Sequence, residues 1–349
     1  MIYVGGLPFS TGSSPPERTD MLGALMEHPI LVSSSHSFRD IPEGKFSVRE
    51  ESSLERSTES RSVYVFQREY ATVDPALVEF VGTDEATTCV GIVVRNRRSG
   101  MTSVAHLDSP KVVDIGITQM LSLVLDRNSD CILDVFSLHL YVHIVGAFED
   151  ASPQLGSSEI HVELDGYSLP LCTKIIETLE ERGENFHIQT LHVLGHNTRW
   201  DSEGNAYPIF TGLLVETCTG SVNPARFDST SRIPDEIVRR IRVCSSHEDP
   251  SWTGRLLETY DTQSDRFVVA PCCWTMRQFR IASILIELSD PEILLSCSTS
   301  PSAEGPNFVD SIRRKCEYLI QHPVWTDTFR SKQPRVFERT SGGGWTRRE

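Results

Sequence analysis

The sequence predicts an α+β fold, a layered sandwich of mainly antiparallel β-sheets flanked by helices, and three observations carry that expectation. Short Val-rich runs bounded by polar residues, Gly or Pro crowd the region from Val63 to Leu107 and return further along the chain. Helical periods punctuate these runs without the regular strand–helix–strand alternation that a doubly wound parallel sheet needs. Hydrophobic residues make up 39% and charged residues 23% of 349 positions, the proportions of a folded chain with a sizeable core. No repeat of fixed period is visible, and the chain is read as one domain over residues 1–349.

Taken in order, the first element is a short helix capped by Asp20, running through Met21, Leu22, Leu25 and Met26 and stopped by Pro29. Residues 33–62 are rich in Ser, Glu and Arg with few apolar side chains, so they can bury little surface and are expected to form a mobile loop. Strands follow at Val63–Val73, Leu77–Thr83, Thr88–Arg95 and Thr102–Leu107. Apolar residues at 113, 117, 120, 121 and 124 repeat with a helical period, broken by Asn128 and Ser129. Strict alternation through Leu138, Leu140, Val142 and Ile144 marks a strand ending at Gly146. The second half reads as a helix at Leu171–Glu181, strands at Phe186–Leu194 and Ile209–Cys218, and a helix at Asp235–Arg242. Two strands flank the turn Asp261–Asp265, and helices cover Gln278–Leu288 and Asn307–Ile320.

Charge excludes some partners. With 48 acidic against 33 basic residues the net charge is -15, which repels phosphate backbones, so no nucleic acid is expected to bind. The most apolar stretch, Ile132 to Phe148, is interrupted by Asp134, Ser137, His139 and His143, too often for a membrane span. The opening MIYVGGLPFS lacks a basic leader, so a monomer in the cytoplasm, and by extension the nucleus, is the expectation. Nine cysteines without a C-x-x-C pair read as reduced thiols. His139 and His143 alternate on one strand but have no third ligand nearby, so no metal is expected.

The chemistry-bearing pattern is Thr83-Asp84-Glu85-Ala86-Thr87-Thr88-Cys89, a polar loop that opens the apolar run Val90 to Val94 and sets a thiol at a sheet rim. The next strand, Ser103-Val104-Ala105-His106-Leu107, follows a turn of charged and small residues. If the hairpin folds about Arg97 and Arg98, positions whose numbers sum to 195 face one another and Cys89 opposes His106. The imidazole can then withdraw the thiol proton and hold a thiolate at neutral pH. A tighter turn at Ser99-Gly100 shifts that register, and nine cysteines with eleven histidines leave other pairings open. Thr83 and Asp108 are near enough to orient the ring as a third member, and the N–H groups of Thr88 and Cys89 could form an oxyanion hole. Thr87 and Thr88 are candidate substrate contacts or plain strand formers.

The strings DEATTC at 84–89, HIVGAFED at 143–150 and STSPSAEGPNFVDSIRR at 298–314 resemble the eukaryotic protein N-terminal asparagine amidohydrolases, over most of the chain from Val63 to Val324. The resemblance implies that Cys89 is the nucleophile, that the substrate is a protein or peptide with a free N-terminal Asn, and that no metal or organic cofactor is required. It also implies a thioester intermediate, release of ammonia, and a product aspartate that feeds N-degron degradation. The family is similar in active-site layout to the bacterial chemotaxis-receptor glutamine deamidase, a Cys/His enzyme on a sandwich core. There a threonine, a cysteine and a histidine are spaced by six and then seventeen positions, as Thr83, Cys89 and His106 are here. A free amino terminus needs a negative partner, for which Asp84, Glu85 and Asp108 are nearest in sequence, while Trp274 and Tyr207-Pro208 are candidate pocket walls. Deamidation of glutamine or an internal amide, or non-catalytic binding of N-terminal Asn, are the competing readings.

Overall fold

The strand Val90–Asn96 is buried on both faces because it lies between two layers. Val90, Ile92 and Val94 pack with the helices Val113–Val124 and Ser168–Glu181, whereas Val93 packs toward a second sheet. The computed structural model describes residues 1–10, 21–47, 60–125, 139–150 and 166–348. Around this strand an eight-stranded mixed sheet runs, edge to edge, Leu257–Glu258, Glu69–Val73, Thr102–Leu107, Val90–Asn96, His139–Gly146, Asn185–His192, Ile2–Val4 and Leu7–Pro8. A five-stranded sheet, Gly44–Phe46, Ser221–Phe227, Leu213–Glu216, Phe80–Thr83 and Ser62–Tyr64, covers one of its faces. The intersheet core joins Ala71, Val93, Val104 and Val145 to Val63, Val81, Leu213 and Val215. Helix, sheet and sheet therefore stack as an α+β layered sandwich, in which antiparallel neighbours outnumber parallel ones. Among the described residues no helix is long and apolar enough to cross a membrane.

Several expectations change in detail. Pro29 does not end a helix but starts one, Pro29–Arg39, where its fixed φ suits the first turn and His28 Nδ1 accepts from the Ile30 N–H at 3.3 Å. The stretch expected as a loop over 33–62 is thus helical to Arg39 and strand at Gly44–Phe46, while residues 48–59 lie outside those described. Its buried face, Leu31, Ser35 and Phe38, hides the helical period because Ser35 is polar and bonds His192 Nδ1 at 2.8 Å. The single strand expected over Val63–Val73 is two, in different sheets, with Arg68 between them at a φ of 63°. The Asp20 cap and Leu138 lie outside the described residues.

His139 and His143 find protein partners, His139 Nδ1 with His187 at 2.6 Å and His143 Nδ1 with Thr190 at 3.1 Å. Burial depresses His106 and His143 to about 4 and His192 to about 3, far below the free imidazole. Between pH 6.5 and 4 the unfolded chain therefore binds more protons than the folded one, and stability present above that window is lost as the pH falls through it. Thermal melts should show a Tm lower by about 5 °C or more at pH 4.5 than at pH 7, and His192→Gln should flatten that dependence.

Candidate functional site

The hairpin that carries the thiol and the imidazole closes on residues 97–100. Asn96 N–H donates to the Met101 carbonyl at 2.9 Å, and Asn96 Oδ1 accepts from the Arg98 N–H at 2.9 Å. Gly91, not Cys89, consequently faces His106, a correction to the expected register. Facing positions sum to 197, a change of two that leaves side-chain parity intact, and Cys89, just before the strand, lines one pocket with His106. Gly91 leaves room for a third group, since a Cβ there would lie 3.1 Å from Thr83 Cγ2 and 3.1 Å from Leu213 Cδ2. Thr83, from the opposing sheet, uses that space to place Oγ1 2.8 Å from His106 Nδ1.

The other ring nitrogen, Nε2, is buried and makes no hydrogen bond to a described residue. A ring that donates Nδ1–H to Thr83 presents the Nε2 lone pair, which is the form a base needs. Thr83→Val keeps the shape and removes the partner, so kcat should fall about tenfold with KM little changed, a split that steady-state kinetics reads directly. Gly146 fixes the approach on the other side. At a φ of 116° it brings the adjoining strand so close that a Cβ would sit 2.7 Å from the Cys89 carbonyl, which accepts from the Ala147 N–H at 2.7 Å.

Cys89 and His106 line a pocket of about 270 Å³ together with Thr87, Thr88, Glu85 and Arg240. Burial pushes the Cys89 thiol well above its ordinary range, helped by the negative Asp108 and Glu304 and opposed by the Thr88 hydroxyl and Arg68. Burial also keeps His106 neutral, against the pull of Asp108, Glu85 and Glu69. Burial thus disfavours the charged form of both groups, a shift opposite to the poised thiolate expected from adjacency.

The acidic candidates separate. Asp84 is 2% exposed and is consumed by Arg232 at 2.8 Å, the Tyr64 hydroxyl at 2.6 Å and the Phe227 N–H at 2.8 Å. Burial raises its carboxyl, with Arg232 pulling it back. Glu85 lines the pocket but is clamped by Arg232 at 2.7 Å and Arg240 at 2.8 Å, which together outweigh burial and hold its carboxyl below the usual value. Asp108 lies outside the pocket lining and is paired with Arg68 at 2.9 Å. Thr87 and Thr88 both line the pocket, and Thr88 Oγ1 sits 3.2 Å from Thr299 Oγ1. Trp274 is a core residue whose Nε1 donates to the His322 carbonyl at 2.8 Å, whereas Tyr207 and Pro208 wall a neighbouring cavity.

The residues that sequence reasoning missed come from far along the chain. Arg240 projects from the helix Glu236–Glu248, and Lys315 from Phe308–Gln321, where its Nζ donates to Cys244 Sγ at 3.4 Å. Glu304 accepts from the Ser298 hydroxyl and forms no ion pair with a described residue. Burial raises its carboxyl, Ser298 opposes and Glu85 adds to the rise. The string at 298–314 contained Glu304 but gave no reason to single it out. Among the described residues no group of three or more His, Cys, Asp or Glu side chains could hold a metal ion.

A thiol, an imidazole and a hydroxyl converging at the rim between two packed sheets define the general class, a Cys/His site suited to nucleophilic attack on an acyl carbon. Sequence comparison narrows it. The family profile described as Protein N-terminal asparagine amidohydrolase matches residues 52–347. A protein N-terminal asparagine amidohydrolase of Arabidopsis thaliana is 55% identical, covering 99% of each chain. Those of Mus musculus and Homo sapiens are each 28% identical, covering 81% of this chain and 83% of theirs. The chain belongs to the protein N-terminal asparagine amidohydrolase family.

Proposed function

We propose that this protein hydrolyses the side-chain carboxamide of an N-terminal asparagine, leaving aspartate and ammonia, through a thioester on Cys89. The observation that carries the reading is the free Nε2 of a neutral His106 in the same pocket as the thiol, with Nδ1 occupied by Thr83. As Cys89 Sγ bonds to the carboxamide carbon, its proton passes to His106 Nε2, and the carbonyl oxygen becomes the oxyanion. The N–H groups of Thr88 and Cys89 donate to no backbone carbonyl of a described residue, so they are available to that oxygen. Collapse of the adduct breaks the C–N bond, and His106 returns the proton to the departing ammonia. Water then attacks the thioester with His106 again as base, and cleavage of the C–S bond regenerates the thiol and frees the aspartate.

Glu304 is the group that fits the substrate's α-ammonium. It is the carboxylate of the pocket without a cation of its own among the described residues, and an ammonium would relieve the burial that raises it. The product, a new N-terminal aspartate, is the form that arginylation and the N-degron pathway consume.

Ammonia release from peptides beginning Asn, beginning Gln, beginning with acetylated Asn, and carrying Asn internally tests the reading. Turnover is expected on the free N-terminal Asn peptide alone. Equal release from the acetylated or internal peptide would overturn the assignment of an N-terminal substrate.

A further inference from the structure

A second cavity, of about 560 Å³, adjoins the Cys89 pocket and takes no part in the chemistry described so far. It is roughly twice the size of the pocket that holds the thiol. One wall is the two-stranded hairpin of Thr198–Trp200 and Ala206–Pro208, which presents Arg199, Tyr207 and Pro208. The segment from Ser302 to Phe308 lines the cavity as well. Glu85, Thr87, Glu304 and Phe308 border both spaces, so the two meet at the carboxylate that fits the substrate's amino group. A polypeptide held there by its first residue must continue somewhere, and the adjoining space is the larger and opens at that point.

Several charges around this cavity are paired, while the Asp228 and Glu304 carboxylates, bonded to hydroxyls and without an ion pair to a described residue, keep their negative charge. Asp84 pairs with Arg232 at 2.8 Å and Glu43 with Arg226 at 2.7 Å. The Asp228 carboxylate accepts from the hydroxyls of Thr230 at 2.6 Å and Ser231 at 2.9 Å. Arg199 and Lys45 are both exposed, and neither forms an ion pair with a described residue. The Arg199 guanidinium instead lies over the Tyr207 ring, 5.2 Å from its centre, which holds a cation at the cavity wall.

We infer that the larger cavity is the subsite for the second and third residues of the substrate polypeptide, and that Arg199 and Lys45 make it favour acidic side chains there. The inference rests on the reading of the smaller pocket as the N-terminal Asn site. Because both cations are solvated, the charge preference is modest and screened by salt, whereas the chain-length preference comes from contact with the cavity walls.

The test compares kcat/KM for asparaginamide and for tetrapeptides Asn-Glu-Glu-Gly and Asn-Lys-Lys-Gly at low and high salt. The expected result is at least a tenfold advantage of the acidic tetrapeptide over asparaginamide and about a two- to fivefold advantage over the basic one, the latter fading in salt. The double variant Lys45→Ala, Arg199→Ala should erase the charge preference, and Tyr207→Ala should shrink the length advantage through KM. Equal efficiency for asparaginamide and both tetrapeptides, or a charge preference untouched in the double variant, would overturn the inference. If no substrate yields ammonia, the deamidation reading fails instead. Peptide affinity for Cys89→Ala protein then decides the subsite by the same comparison of length and charge.

Discussion

Cys89→Ala should abolish ammonia release from N-terminal Asn peptides, with a loss of at least about a thousandfold. The change deletes one half-buried sulfur, so the fold should survive it and Tm should move by only a few degrees. His106→Ala removes the base and acid and is expected to cost about 10² to 10⁴ in kcat. On the proposed mechanism the sulfur gives its proton to His106, so the two substitutions should not be independent. Mass spectrometry of quenched wild-type reactions should find the peptide, less ammonia, attached at Cys89. Residual turnover above about a tenth of wild type in Cys89→Ala would remove the thioester from the account.

Glu304→Gln should lower kcat/KM for a free N-terminal Asn peptide by about ten- to a hundredfold, the worth of one charge-assisted hydrogen bond to an ammonium. It should also narrow the gap between free and acetylated termini, a readout that a merely structural role would leave alone. The contrast with Glu85 is instructive. Two arginines already neutralise Glu85 at 2.7 Å and 2.8 Å, so Glu85→Gln is expected to disturb the loop carrying Cys89 more than the recognition of an amino group. An unchanged preference for free termini in Glu304→Gln would return the ammonium site to Glu85.

The sandwich was legible because alternation and helical period report burial, and burial depends on the layers to which an element contributes. Thr102–Leu107 and the helix Val113–Val124 were readable nearly to their ends for that reason. Where a polar residue faced the core, as Ser35 does, or where the chain changed sheets, as it does near Arg68, the period misled. The hairpin register was off by two positions, since it is set by how Asn96 folds back over its own turn, a local geometry that several turn lengths satisfy equally.

The sequence offered Cys89, His106 and Thr83 as candidates within one short span, and the family resemblance singled them out from the other possible pairings. Which carboxylate of the pocket is left unpaired among the described residues was decided only by the tertiary structure. Arg232 reaches back 148 positions to Asp84, and Arg240 reaches 155 to Glu85, so the acids nearest the thiol in sequence are neutralised by cations no local pattern connects to them. Glu304 arrives from the far end of the chain and has no such partner among the described residues. Pairing of charges is a property of distance in space, and desolvation, which disfavours the charged forms of the thiol and the imidazole, depends on the layers packed around them.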